Sequence, residues 1–299
     1  MCSSDLCGHR QAVPEGRLIV GELENQPHLE SALRQHQIEA VLHFAAVAEV
    51  GESVVNPQKY YVNNVVGTLC LLNAMRAADV RKFVFSSTTA TYGVPKTVPI
   101  PEEEPQQPIS PYGFSKLVVE RALGDYAHAY GLSYAALRYF NAAGADPSGE
   151  IGEDHKPESH LIPITLQVAL GQRSEITIFG DDYDTPDGTC IRDYVHVNDL
   201  ADAHLRALDR LQPGQGLKLN LGSGKGFSVR EVIDAARRIS GRPIAEKIGP
   251  RRPGDPPRLI ADSSKARQIL GWSPQFDDIE AIVATAWKWH SGHPQGYGP

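Results

Sequence analysis

Tyr60-Tyr-Val-Asn-Asn-Val-Val-Gly-Thr-Leu-Cys-Leu-Leu-Asn-Ala-Met-Arg-Ala-Ala78, followed by Lys82-Phe-Val-Phe-Ser-Ser87, decides the fold. Val62, Val65, Val66, Leu69, Leu72 and Met75 recur at helical spacing, and the apolar run after them is short, β-rich and ends in hydroxyls. This helix-then-strand unit is flanked by others. Upstream, Arg17-Leu-Ile-Val20 and Ala40-Val-Leu-His-Phe-Ala-Ala46 read as strands around a helical stretch from Leu29 to His36. Downstream, a helix opening at Pro111 leads to a strand at Tyr134–Tyr139. Strands separated by helices predict an α/β fold with a doubly wound, mainly parallel sheet of Rossmann type. In such a sheet ligands gather at the carboxyl ends of the strands, here Ala45-Ala46, Ser86-Ser87-Thr88 and Phe140-Asn141.

Beyond Asn141 the texture changes to loops rich in Gly, Pro and Asp, which predicts a smaller C-terminal substrate-binding domain. The division expected is a leader at 1–7, a truncated Rossmann-like domain at 8–141 and a ligand-binding domain at 142–299, with some later segments returning to the first. The 299 residues carry a net charge of −7, which argues against nucleic acid or an anionic membrane as partner. Cys2, Cys7, Cys70 and Cys190 have no metal-ligand spacing and are too few for a disulfide scaffold, so a reduced, cytoplasmic setting and no metal are expected. No apolar run is long enough to span a membrane.

Chemistry concentrates at Tyr112-Gly-Phe-Ser-Lys116. Ser110 suits an N-cap, Pro111 the first helical position and Gly131 a left-handed close, so Tyr112 and Lys116 fall one turn apart on one face. To act as a base near pH 7 a phenol must fall from about 10, a change of about 4 kcal/mol. One positive charge at about 5 Å, with an effective dielectric of about 20, supplies about 3 kcal/mol of that. Lys116 is therefore expected to lower the Tyr112 pKa, with a second cation such as an oxidised nicotinamide supplying the rest. Thr88 offers a hydroxyl for a substrate oxygen. Arg192 and Arg252 suit a diphosphate. Leu219-Asn-Leu-Gly-Ser-Gly-Lys-Gly226 imitates a dinucleotide loop, but its G-x-G-x-G spacing and short leading strand favour a structural turn.

Ser86-Ser-Thr88, Tyr112-x-x-x-Lys116, Arg138-Tyr-Phe-Asn141, Asp187-Gly-Thr-Cys-Ile-Arg-Asp-Tyr194 and Pro250-Arg-Arg-Pro-Gly-Asp255 occur in one order. With them the chain resembles the UDP-glucose 4-epimerase family of extended short-chain dehydrogenases from about Gly8 to Tyr297. The resemblance implies bound NAD and interconversion of UDP-glucose and UDP-galactose through a 4-keto sugar, with Tyr112, Lys116 and Thr88 catalytic. It implies cofactor contacts from Glu22, Leu23, Phe44, Ala45, Ala46, Asn63, Ser86, Ser87 and Tyr139. Thr88, Asn141, His160, Leu161, Phe179, Arg192, Tyr194, Arg252 and Asp255 would line the UDP-sugar site, and a homodimer would form through the Tyr60–Ala78 helix and the one beginning near Pro111.

Departures from the family include Ala48 for a lysine and Glu22 for an aspartate, while Leu259 stands where some members have a tyrosine beside an N-acetyl group. The family's opening strand and G-x-x-G-x-x-G loop are missing, which leads to the expectation of an incomplete reading of a longer gene with Met1–Cys7 foreign to it. A dehydratase would need an Asp-Glu pair after the active-site threonine, where this chain has Thr89-Ala90, and a decarboxylase is disfavoured on similar grounds. The remaining alternatives are an epimerase for another pair such as UDP-xylose/UDP-arabinose, and a silent UDP-sugar binder.

Overall fold

The computed structural model describes residues 8–252 and 255–298. The leader Met1–Cys7 and the Pro253-Gly254 part of the arginine motif lie outside the described residues. A four-stranded parallel sheet organises the first half, in the order Ala40–His43, Lys82–Thr88, Ser133–Tyr139, Gly216–Asn220. The last strand arrives from the second half of the chain.

Period-two alternation divides the sheet's two faces. Phe83 and Phe85 pack on one side with Val119 and Leu123 of the Pro111–Tyr130 helix and with Leu71, Leu72 and Met75. Val84, Ala135 and Leu137 pack on the other with Leu200, Ala203 and Ala207 of the Val197–Arg210 helix. A third core in the second half joins the Leu161–Ala169, Val229–Ser240 and Ile279–Gly292 helices.

One expected strand does not form. Arg17–Val20 carries no ladder, and Val20 is 73% exposed. An apolar run becomes a strand only against a partner that takes its backbone groups, and among the described residues no strand lies beside it. Nor does any lie on the outer edge of Ala40–His43, which pairs with Lys82–Thr88 alone.

The expected helix from Tyr60 to Ala78 is present with a change of pitch. An α-turn at Pro57–Tyr60 passes into a π-helical stretch at Tyr61–Val66 and back to α at Gly67–Ala77. The wide turn places Asn64 inward, where its carboxamide accepts from Val47 N at 2.9 Å and donates to Val47 O at 3.0 Å and Ser115 Oγ at 3.1 Å. Such widened turns are rare and concentrate near functional sites. Here one clamps the loop after Ala40–His43 to the helix that carries Tyr112.

The glycine run also has a definite use. N–H groups of Ser223 and Gly224, with the Ser223 hydroxyl, donate to the carboxylate of fully buried Asp193 at 2.7 to 3.3 Å. A Cβ on Gly222 would sit 2.4 Å from Asp193 Oδ2. The loop wraps an internal carboxylate where a dinucleotide loop would wrap a phosphate, so the structural turn expected there is what the chain builds. Ser228 and Glu231 then start the next helix with a reciprocal capping box.

Candidate active site

The Tyr112 helix begins and ends as its capping residues dictate. Ser110 Oγ accepts from Gly113 N at 3.2 Å, Pro111 occupies the first turn, and Gly131 closes the helix at φ 71°. Gly113 has a separate reason to lack a side chain: a Cβ there would come within 2.6 Å of Ala90 O. That close approach seats the helix start against the Thr89–Tyr92 turn, at the carboxyl end of the Lys82–Thr88 strand.

The side chains of Tyr112 and Thr88 come together there, close enough for the threonine hydroxyl to favour the phenolate. Tyr60 packs edge-on against the Tyr112 ring, with centroids 6.4 Å apart, and is itself held by Glu49 O and Glu52. Lys116, 4% exposed, donates from Nζ to Ser86 O at 2.9 Å and lies 4.8 Å from the Phe85 ring centre. Below it, burial and then the Lys116 charge hold His43 neutral, its pKa lowered to about 3.

The lowered phenol expected from a Tyr–Lys pair is not what these residues produce alone. Burial pushes Tyr112 well above 10, and the Thr88 hydrogen bond only partly offsets it. Lys116 is desolvated as well: burial pulls its ammonium down to about 7 despite the nearby Glu120. A second fixed positive charge is therefore required before Tyr112 can serve as a base near neutrality.

Alternation along the strand sorts the three hydroxyls. Ser86 bonds to Tyr139 OH and Thr88 to Tyr112, while Ser87 Oγ turns away to Glu120 Oε1 at 2.6 Å. Ser87 therefore reaches a ligand only through its backbone. Glu120 belongs to a network the sequence reading missed. It is 0% exposed in its side chain and forms a two-pronged ion pair with Arg138, at 2.9 and 2.6 Å, while Arg138 also reaches Tyr92 OH at 2.7 Å. A glutamate four residues after Lys116 and an arginine inside an apolar strand were the available signals.

The other expected cofactor residues divide by burial. Phe44 is 54% exposed, Ala45, Ala46 and Asn63 are partly buried, and Glu22 is exposed. Leu23 is 3% exposed and packs on Gly67 within the core, which leaves only its backbone to a ligand. The buried ammonium, the phenols of Tyr112 and Tyr139 and the open ring of Phe44 fit the ribose and nicotinamide end of a pyridine dinucleotide in donor chemistry and in flat apolar surface.

On the opposite side, Asn141 Nδ2 donates to Asp193 O at 3.0 Å. Arg192 pairs with Asp255, and the Arg252 guanidinium stacks 4.2 Å above the Phe179 ring. Leu161 opens its helix and is partly exposed. Tyr194 is 5% exposed and packed into the second-half core, its phenol raised by burial. His160 directs its imidazole to Glu153.

A family model described as "NAD dependent epimerase/dehydratase family" matches residues 3–222. The UDP-glucose 4-epimerase of Halalkalibacterium halodurans is 55% identical over 97% of this chain and 87% of its own length. A crystal structure of a UDP-glucose 4-epimerase superposes with TM-score 0.95 at 50% identity, covering 98% of this chain and 89% of that one. That of the Brucella ovis UDP-glucose 4-epimerase in complex with NAD superposes at 0.90 and 48% identity, covering 94% and 86%. With its parallel sheet, its Tyr112–Thr88–Lys116 cluster and this matched span, the chain belongs to the NAD dependent epimerase/dehydratase family.

Proposed function

We propose that this chain binds NAD and interconverts UDP-glucose and UDP-galactose by inverting carbon 4 of the sugar. The observation that carries the reading is the Tyr112 phenol set against Thr88, on the helix that also carries the buried Lys116, at the carboxyl end of the Lys82–Thr88 strand. NAD, when bound, supplies a hydride acceptor and donor and a positive ring. Tyr112 takes the proton of the sugar 4-hydroxyl and later returns it, and Thr88 donates to the 4-oxygen as it becomes a ketone. Lys116, steered by the Ser86 carbonyl, orients the ribose. The keto sugar presents its opposite face before the proton comes back. Glu22, Leu23, Phe44, Ala45, Ala46, Asn63, Ser86, Ser87 and Tyr139 line the cofactor site. Asn141, Leu161, Phe179, Arg192, Tyr194, Arg252 and Asp255 line the UDP-sugar site, while the His160 imidazole turns to Glu153.

Elimination chemistry lacks its carboxylates: Thr89 is buried and bonded to Tyr139 O, and Ala90 follows it. The protein works in the cytoplasm as a homodimer. Turnover of UDP-glucose to UDP-galactose by the purified chain with NAD tests the reading. Tyr112→Phe is expected to lower kcat by about 10²- to 10⁴-fold while leaving UDP binding intact. UDP binding without NAD binding or turnover would instead make the chain a silent sugar-nucleotide binder, and preferred turnover of UDP-xylose would reassign its substrate.

A further inference from the structure

Just ahead of the Leu161–Ala169 helix runs Glu153-Asp-His155-Lys-Pro-Glu158-Ser-His160, in which two imidazoles and two carboxylates face one point. One ligand atom from each of Glu153, His155, Glu158 and His160 lies within 4.8 Å of the other three. Both histidines approach through Nδ1 and both glutamates through Oε1. His155 Nδ1 is 3.0 Å from Glu153 Oε1 and 3.9 Å from Glu158 Oε1; His160 Nδ1 touches Glu153 Oε1 and is 3.8 Å from Glu158 Oε1.

Four donors around a tetrahedral Zn²⁺, with bonds of about 2.0 to 2.2 Å, sit about 3.3 to 3.5 Å from one another. The three separations of 3.0, 3.8 and 3.9 Å bracket that edge length, and the fourth contact, His160 to Glu153, is a hydrogen bond that a bound ion replaces. His155 Nδ1 is shielded from solvent and, although 3.0 Å from a carboxylate oxygen, is not aligned for a hydrogen bond to it.

The surroundings hold the donors in place. Glu158 is 3% exposed in its side chain, and its carboxylate is held in place through Oε1, which accepts from the N–H groups of Ser159 and His160 at 2.8 Å each. Glu153 is fixed through its carbonyl, which accepts from Trp289 Nε1 at 3.0 Å.

From this convergence we infer that Glu153, His155, Glu158 and His160 form a binding site for a divalent transition ion of the zinc class. Paired imidazoles select such an ion over Mg²⁺ or Ca²⁺, which prefer all-oxygen sets, and four protein ligands make the site structural. Its position gives it a task. Ser159, inside the loop, donates to Glu49 Oε1 at 2.7 Å, and Glu49 O holds the Tyr60 hydroxyl that packs Tyr112. An ion there ties the second half's loop to the wall of the Tyr112 site.

The test uses the untagged full chain, stripped with chelator and titrated with Zn²⁺ and separately with Co²⁺. Expected are one equivalent of bound Zn²⁺ by elemental analysis after gel filtration, a raised Tm, and the intense visible bands of tetrahedral Co²⁺. His155→Ala should weaken Zn²⁺ binding more than about 100-fold, beyond the loss typical of an outer-shell partner. Should that variant misfold, His155→Gln and the wild-type Co²⁺ spectrum decide. Substoichiometric Zn²⁺ in the wild type, a pale octahedral Co²⁺ spectrum, or unchanged affinity in a folded His155 variant overturns the assignment.

Discussion

At the scale of single residues, the buried Lys116 ammonium and the Tyr112 phenol are tuned against each other. A lysine whose pKa falls to about 7 on folding, from about 10.5 when unfolded, binds fewer protons in the native state between those values. Stability then rises with pH across that window, by up to about 1.4 kcal/mol per pH unit from this group. The Lys116→Met variant should lose this slope in cofactor-free protein. Urea melts at pH 7 and pH 9 measure it as the difference between wild type and variant, so that other titrating groups cancel. Equal pH dependence in the two proteins would mean that Lys116 keeps its charge when folded. The same residue carries the correction to the expected base: the Tyr–Lys spacing is readable in Tyr112-Gly-Phe-Ser-Lys116, but desolvation of both groups follows from what packs around them.

Among the elements, the Pro111–Tyr130 helix joins the site to the sheet through Glu120 and Arg138. Removing one partner of a fully buried pair leaves an uncompensated charge. Glu120→Ala is therefore expected to cost about 3 to 5 kcal/mol in denaturant unfolding; a loss under about 1 kcal/mol would mean that water already reaches Arg138. The capping of this helix was legible in Ser110, Pro111 and Gly131 because caps are local. The π-helical turn at Tyr61–Val66 was not, because Asn64 is drawn inward by Val47 and Ser115, which lie far from it along the chain. The failed strand at Arg17–Val20 is the converse case: apolar pattern without a neighbour to pair with.

For the whole molecule, Tyr61, Val62, Val66 and Phe114 stand 38 to 46% exposed on the two helices expected to meet a second copy. Tyr61 and Phe114 already touch edge to face, their centroids 6.4 Å apart, so the two helices present one apolar surface. The proposed homodimer buries it. Sedimentation at micromolar concentration should give a dimer, and the double change Val62→Glu with Phe114→Glu a monomer of unchanged secondary structure; a monomeric wild type removes the dimer from the picture. The described residues hold no helix long and apolar enough to cross a membrane. The cysteine spacing gave no metal site, and Cys70 and Cys190 are free. The histidines and glutamates of the 153–160 loop carried the better signal, visible as Glu-x-His-x-x-Glu-x-His.

By itself the sequence determined the alternation of helix and strand, the caps, the placement of Thr88 at a strand end and of Tyr112 and Lys116 one turn apart on a helix, and the ordered motifs of a family. These depend on spacing along the chain. Only the tertiary structure decided that Ser87 turns to Glu120 while Ser86 and Thr88 face Tyr139 and Tyr112, that the glycine run encloses Asp193, and that burial sets the charges of Lys116 and Tyr112. Solvent exclusion and partner choice are properties of the packed chain, made by residues distant in sequence, and no local pattern records them.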